Sequence, residues 1–415
     1  MFAQSLFGIA VLLSIAWALS ENRRRLSWKL VVSALVLQFA LALALLKIDA
    51  FRGIFLKLNG LVLALQDATK AGTSFVFGYL GGGGLPFTES FPGAAFVLAF
   101  QALPLILVVG ALSALLYHWR VLPAIVGAFA WALRRALDLG GAAGVGVAAN
   151  VFVGMVEAPL LVRPYLVRLS RADIFVVMTA GMATIAGTVM VLYASFLAGT
   201  VPGALGHILT ASLINALGAV LMARILVPAE IDGGLAAESV QLPRTAASSI
   251  DAITQGTLDG VKLLINVTAM LVVMVALVSL VNAILGLLPD IGGAVLTLQR
   301  IFGLVLSPAA WLIGIPWDQA ETAGSLLGIK VVLNEFLAYA ELAKTGDDVL
   351  DARSRLILAY ALCGFANFGS LGIMIGGMGT MAPERRAEIA ALGLKSILAG
   401  MLTTLLTGAI VATLT

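Results

Sequence analysis

The sequence predicts an all-α polytopic membrane protein: about eight transmembrane helices, two re-entrant hairpins and interfacial helices, arranged as an inverted repeat. Three observations predict it. The 415 residues are 61% hydrophobic and only 11% charged, with a mean hydropathy of +1.06. A soluble chain of this length needs far more charge to cover its surface. Apolar runs of about 20 residues, long enough to cross a bilayer core, recur along the chain. Finally, an Asn and a Glu interrupt an apolar stretch twice, at Asn150 to Pro159 and at Asn334-Glu335.

The net charge is +3, and the basic residues sit in short loops, where they act as topology signals rather than a nucleic-acid footprint. Cys363 is the only cysteine, which excludes an internal disulfide and a multi-cysteine metal site. His118 and His207 are too far apart in sequence to suggest a metal pair.

The first span is expected over about 2–19. Neither a basic n-region before it nor a small-residue cleavage site after it marks a signal peptide. Arg23, Arg24 and Arg25 follow and mark the cytoplasmic side, which puts the N-terminus outside. A second span covers about 30–46. From Lys47 to Lys70, polar residues interrupt leucines at helical spacing, as in an amphipathic interfacial helix. Gly81 to Gly84 reads as a flexible turn; it lacks the Lys-Ser/Thr of a phosphate-binding loop. A third span runs over about 94–117. A second interfacial helix, about 122–139, carries Arg134, Arg135 and Asp138.

Residues 139–166 contain no clean span. Gly154 and Pro159 oppose a continuous helix, so two half-length helices meeting at a tip fit best. A span over about 173–197 is broken at Gly181 to Gly187, where freed carbonyls can bind a cation. Another span covers about 205–226. The polar stretch from Pro228 to about Gln255 is a linker, and a long apolar helix follows over about 261–287.

The second half repeats this plan. A hairpin follows Ile315-Pro-Trp-Asp318, with Asn334 and Glu335 inside it. A broken helix spans about 355–379, interrupted at Gly364 to Ser370, and a last span covers about 389–414. Basic residues follow the first hairpin, and acidic ones precede the second broken helix. The two units are therefore inverted, an architecture of secondary transporters whose site lies where hairpin tips meet unwound helices. The expected division is 1–135 for N-terminal scaffold spans and interfacial helices, and 136–227 for the first transport repeat. The linker and a long scaffold helix take 228–295, and the second transport repeat 296–415.

Glu157 and Glu335 are the two intramembrane carboxylates. A charge at that depth is costly and usually faces a cavity or a partner. The alternative for each is a hydrogen-bonded carboxyl that closes its own hairpin. Asn367 and Ser370, three residues apart, could join Glu335 in binding vicinal hydroxyls, or could repair the helix break. Asn150, Thr184 and the carbonyls of Val153 and Ile185 form an all-oxygen set suited to a hard cation such as sodium. Thr184 could equally bond its own helix four residues back. Lys330 has two readings: pairing with a carboxylate or reaching the membrane edge. His207 reads as a hydrogen-bonded helix residue and Cys363 as packing.

On NVFVGMVEAPLLVRPYL (150–166), GMATIAGTV (181–189), IPWDQAETAGSLLGIKVVLNEFLAY (315–339) and GFANFGSLGIMIGGMG (364–379), the chain resembles the concentrative nucleoside transporter family. GTSFVFGYLGG (72–82) and VKLLINVTAMLV (261–272) extend the resemblance over most of the chain from about residue 70. It implies a homotrimer with one pathway per protomer and cation-coupled nucleoside uptake without ATP. It also implies a sodium site at Asn150, Val153, Thr184 and Ile185, and ribose contacts at Glu335, Asn367 and Ser370 beside Phe365. Glu157 matches a hairpin carboxylate near the base. Where pyrimidine-accepting members carry Gln-Thr before that Glu, this chain has Met155-Val156. Neither side chain can read a uracil edge, and a soft, apolar pocket suits a larger ring. The resemblance thus points to purine preference. Gly369 and Met374 stand where many members have Ser and Gln.

The expected protein is a sodium-coupled nucleoside symporter of a bacterial inner membrane, multi-pass, without a cofactor and without nucleic acid as a partner. Proton coupling through Glu157 or Glu335 is the close alternative. An embedded enzyme using the two carboxylates as an acid–base pair is a third reading, but no nucleophile–base constellation supports it. A channel fits poorly, because isolated carboxylates on paired hairpins suggest an occluded site.

Overall fold

The computed structural model describes residues 2–88, 95–137, 139–155, 157–229, 246–290, 293 and 295–415, with backbone alone at 49–59, 62, 164, 188, 270 and 274. Asp138, Val156 and most of the polar linker (230–245) lie outside these. Among the described residues every regular element is helical. In chain order they are α1 (Phe2–Ala18), α2 (Trp28–Lys47), α3 (Asp49–Phe77), α4 (Leu98–Gln101), α5 (Leu105–His118), α6 (Val121–Leu137) and α7 (Gly141–Asn150). Next come α8 (Glu157–Leu161), α9 (Arg163–Leu166), α10 (Arg171–Ala183), α11 (Gly187–Leu197), α12 (Ala204–Leu226) and α13 (Ser249–Leu285). The last six are α14 (Leu298–Leu312), α15 (Trp317–Val332), α16 (Glu335–Lys344), α17 (Ala352–Ala361), α18 (Phe368–Met381) and α19 (Arg386–Leu414).

Several helices start where a side chain can accept the orphan first-turn N–H groups. Ser27 caps α2, accepting from Leu30 N at 3.3 Å. Ser170 caps α10 through Asp173 N at 3.0 Å, and Asp351 caps α17 through Ser354 N at 2.6 Å. Ser248 caps α13 through Asp251 N at 3.1 Å. This cap starts α13 well before the expected residue 261, so the C-terminal end of the expected linker is helical. The third span is also irregular: α4 ends at Gln101, and α5 begins only after Pro104, whose ring disfavours helix in the residue before it. The amphipathic α3 runs to Phe77, past the expected Lys70, and a 3-10 turn over Gly78–Gly81 follows it. The sequence reading gave no helix at α14. This helix leads into α15 across a 115° bend.

The centre is formed by α10, α12 and α19. α12 carries apolar residues all round and is almost wholly buried, as expected of a helix enclosed by others. α1 packs on α19, α14 and α12, while α2 packs on α12 and α19. α6 shows the stripe Pro123, Val126, Ala130, Leu133 and Leu137, a helical period that turns its basic face away from the bundle. At one end of the bundle Glu21 accepts from Arg171 at 2.9 Å and from Lys395 at 2.7 Å, tying the α1–α2 turn to α10 and α19.

A second body is the pair α5 and α13, packed along each other. Their backbones touch through small residues. A methyl group on Gly256 would lie 2.6 Å from both the Gly110 carbonyl oxygen and Ala114 Cβ. The rest of α13 exposes Ile265, Val272, Val273, Leu277, Leu280 and Ile284, a surface suited to lipid or another apolar helix. Among the described residues five helices are long and apolar enough to cross a membrane: α2, the stretch Leu98–His118, α12, α13 and Pro383–Leu414.

The α5–α13 seam predicts that Gly256→Leu overpacks the contact and lowers stability by about 1–3 kcal/mol. Thermal unfolding of purified protein should show a lower midpoint. Gly127→Ala, whose added methyl meets nothing within 4 Å, should leave the midpoint unchanged or raised.

Candidate functional site

The first helix pair closes at Asn150, the last residue of α7. Asn150 is buried, and its Nδ2 donates to the Gly146 carbonyl at 2.9 Å. Its Oδ1 is buried with no hydrogen-bond partner. A buried amide oxygen left unpaired costs about 1–3 kcal/mol, so this atom calls for a donor or a cation. Thr184 terminates α10 in extended conformation. Its Oγ1 donates to the Ala180 carbonyl at 2.9 Å and approaches the Asn150 carbonyl at 3.3 Å. Thr184 thus bonds its own helix four residues back, one of its two sequence readings, and it also faces Asn150.

The tip beyond Asn150 turns at Gly154, whose φ is +111°, a conformation that favours glycine. A methyl group there would lie 2.8 Å from Glu157 Oε2, so the Glu157 carboxylate folds back over its own turn. Glu157 is exposed, whereas Met155 is buried against Gly181, where a methyl group would lie 3.0 Å from Met155 Cβ and 3.4 Å from Asn150 Oδ1. The tip is latched to α11 by Gly187 N donating to the Phe152 carbonyl at 3.0 Å. Val153 is half-buried beside it, and Ile185 is fully buried in the break between α10 and α11. Val156 lies outside the described residues.

The second helix pair breaks at Leu333-Asn334. Asn334 Oδ1 caps α16 by accepting from Leu337 N at 2.9 Å, which places Glu335 in the first turn, where the helix dipole favours a carboxylate. Glu335 is 4% exposed. Its Oε1 accepts from Tyr193 OH at 2.6 Å, and its Oε2 from Asn367 Nδ2 at 3.0 Å. Asn367 also caps α18, accepting from Ser370 N at 2.7 Å. The helix-repair reading of Asn367 is thus correct for one end of its amide, while the other end holds Glu335. Phe365 is half-buried between the halves of this broken helix, and Ser370 is buried on the first turn of α18.

The structure brings Glu335, Asn367 and Ser370 together at one break and Asn150, Thr184 and Met155 at the other. The breaks lie back to back. Asn215 of α12 donates to the Ala183 carbonyl at 2.8 Å and to the Cys363 carbonyl at 2.7 Å. Ser212, one turn earlier, accepts from Ile185 N at 3.3 Å. A methyl group on Gly364 would lie 2.7 Å from the Ala183 carbonyl oxygen, so glycine permits this approach.

Lys330 is 1% exposed and so does not reach the membrane edge. Its Nζ donates to the Ala361 carbonyl at 2.8 Å and to Thr404 Oγ1 at 2.7 Å, so its direct partners are neutral oxygens rather than a carboxylate. His207 pairs with Tyr360 OH at 2.9 Å, as a hydrogen-bonded helix residue should. Sequence reasoning missed Tyr193, Ser212, Asn215 and Thr404. Asn215 carried a signal, an amide midway along an apolar span. Tyr193 carried none, because an aromatic in an apolar helix is ordinary. No group of three or more His, Cys, Asp or Glu residues among the described ones could hold a metal.

Residues 207–412 match the family described as Na+ dependent nucleoside transporter C-terminus, residues 7–80 its N-terminus, and residues 99–200 the family described as nucleoside recognition. The nucleoside permease NupC of Helicobacter pylori is 36% identical over 416 residues, spanning 98% of this chain and 96% of its own. An uncharacterized transporter, YutK of Bacillus subtilis, is 36% identical over 408 residues, spanning 98% and 97%. The structure of CNTnw in an inward-facing substrate-bound state superimposes with a TM-score of 0.90 at 36% identity, over 99% of this chain and 98% of that one. With two helix pairs and two broken helices around Asn150 and Glu335, the chain belongs to the concentrative, Na+ dependent nucleoside transporter family, whose members are membrane transporters and not enzymes.

Proposed function

We propose that this protein is a sodium–nucleoside symporter of the bacterial inner membrane that prefers purine nucleosides, works as a homotrimer and has its N-terminus outside. The observation that carries the nucleoside site is the buried Glu335, held between Tyr193 and Asn367. A carboxylate has up to four acceptor sites, so two remain for vicinal hydroxyls of a ribose. Hydrogen bonds from those hydroxyls would be charge-assisted. Ser370 and Phe365 would complete this half of the site. Glu157, exposed on the opposite tip, would meet the base beside Met155 and Val156.

The sodium reading is supported by the unpaired Asn150 Oδ1. Asn150, Thr184 and the carbonyls of Val153 and Ile185 would supply oxygen ligands, the donor type a hard cation needs. Cation binding there would tie α7 to the α10–α11 break and hold the first tip in the form that receives nucleoside. In this reading the two helix pairs are re-entrant hairpins. The five long helices, α1 and the two broken helices then make eight spans. The repeats 136–227 and 296–415 form the moving part, and the α5–α13 pair the frame. Proton coupling remains the competing mechanism.

Four outcomes test this. Glu335→Gln should lower nucleoside uptake into proteoliposomes at least about tenfold, since hydrogen bonds to a charged group are worth roughly 1.5–3 kcal/mol each; near-normal uptake would remove the ribose role. Replacing sodium by choline at fixed pH should abolish concentrative uptake, and Asn150→Ala should raise the sodium concentration for half-maximal uptake. An unchanged rate in choline would instead favour proton coupling. Met155→Gln combined with Val156→Thr should raise uridine uptake relative to adenosine by roughly 2–10-fold, the worth of one gained hydrogen bond. A constant ratio in paired uptake assays would discredit the apolar base pocket.

A further inference from the structure

Lys330 is a buried ammonium that the proposed transport cycle does not use. Burying a charge is expensive unless it is well satisfied, and an ionisable residue at membrane depth is by default a functional candidate. Its surroundings have a counterpart in the other repeat. In the first repeat, the last turn of α7 meets the C-terminal end of α10, and α12 packs behind. Asn150 sits on that last turn, Thr184 ends α10, and α12 contributes Ser212 and Asn215. In the second repeat, the last turn of α15 meets α17, and α19 packs behind. Lys330 sits on that last turn, the Ala361 carbonyl ends α17, and α19 contributes Thr404.

The two junctions thus have the same order of parts and opposite polarity of the central group. The first presents an orphan oxygen, Asn150 Oδ1. The second presents an ammonium already seated on a carbonyl and a hydroxyl. Helix C-terminal ends carry partial negative charge and attract cations, so both junctions favour a positive charge, but only the second contains one of its own.

We infer that Lys330 is a tethered cation: its ammonium occupies, in the second repeat, the seat that the first repeat leaves for an exchangeable ion. There it is a positioning residue. By anchoring the end of α17 it sets the geometry of the following break, and with it Asn367 and its hold on Glu335. The inference rests on reading the first junction as a cation seat, and it explains how one repeat could respond to an ion gradient while the other carries its own cation.

The test is equilibrium binding of labelled nucleoside (adenosine or uridine, whichever the parent binds tighter) to purified full-length protein. Sodium chloride is stepped against choline chloride at constant ionic strength. Lys330→Ser empties the seat and adds a hydroxyl, so it should bind nucleoside about tenfold more weakly at low sodium, recover at high sodium, and show a steeper sodium dependence than the parent. Lys330→Met fills the seat without charge and should not recover. Binding by both variants like the parent, or equal weakening of both at every sodium concentration, overturns the inference. Should neither variant purify as a monodisperse protein, Thr404→Val decides. It keeps the side-chain volume and removes the hydroxyl that accepts from the ammonium, along with that hydroxyl's bond to the Met401 carbonyl one turn back on α19, so it should weaken nucleoside binding several-fold with the sodium midpoint unchanged. Parent-like affinity in Thr404→Val overturns the inference. A parent that binds nucleoside equally in choline removes the sodium reading alone, and the Thr404→Val comparison still rules on Lys330.

Discussion

The structure depends on how it satisfies broken backbone inside an apolar bundle. Each interrupted helix frees carbonyl and amide groups where no water is at hand, and each unsatisfied group there costs several kcal/mol. The solution is to set the two breaks against each other and clamp both with one side chain. Asn215 donates to the Ala183 carbonyl of one break and the Cys363 carbonyl of the other. Ser212 accepts from Ile185 N on the same face of α12. α12 is therefore more than filler at the centre of the fold; it is the strut that makes two helix interruptions affordable.

From this clamp the site follows. With the breaks fixed, Asn367 is free to spend one end of its amide on the α18 cap and the other on Glu335. Tyr193 comes from α11, beyond the first break, and completes the pair. The carboxylate is thus held from both broken helices at once, so any change at the first break that moves α11 also moves a partner of Glu335. Such a shared hydrogen bond is a physical route by which the occupancy of one break could affect the other. The ring contacts of Tyr193 with Phe336 and Tyr339 limit where its hydroxyl can go.

The two tips differ in how their acidic residues are held. Glu335 is buried and capped by neighbours. Glu157 is exposed and curls over Gly154. In the proposed function the closed carboxylate would meet the sugar, the part of a nucleoside that does not vary, and the accessible one the base, the part that does. Met155, buried against Gly181, lies on the same tip as Glu157, where the proposed function would set a soft thioether beside the base.

The sequence by itself determined the membrane class, the two interruptions and most of the polar residues at them. These rest on local chemistry: apolar runs of spanning length, Gly and Pro that break helices, and Asn or Glu too costly to face lipid. The caps at Ser170 and Asp351 rest on equally local chemistry and were legible, although the sequence reading did not single them out. The kinked α4–α5 span and the early start of α13 were less so, because a local proline or serine had to be weighed against a long apolar run. Tertiary structure alone decided which oxygen each donor found. Tyr193 reaches Glu335 across 142 residues, Lys330 reaches Thr404 across 74, and Asn215 joins carbonyls at sequence separations of 32 and 148. Such pairings depend on the rotation and depth of packed helices, which hydrophobic pattern constrains only to a face. The sequence could say that Lys330 needed a partner; only the packed bundle could seat it on the end of α17.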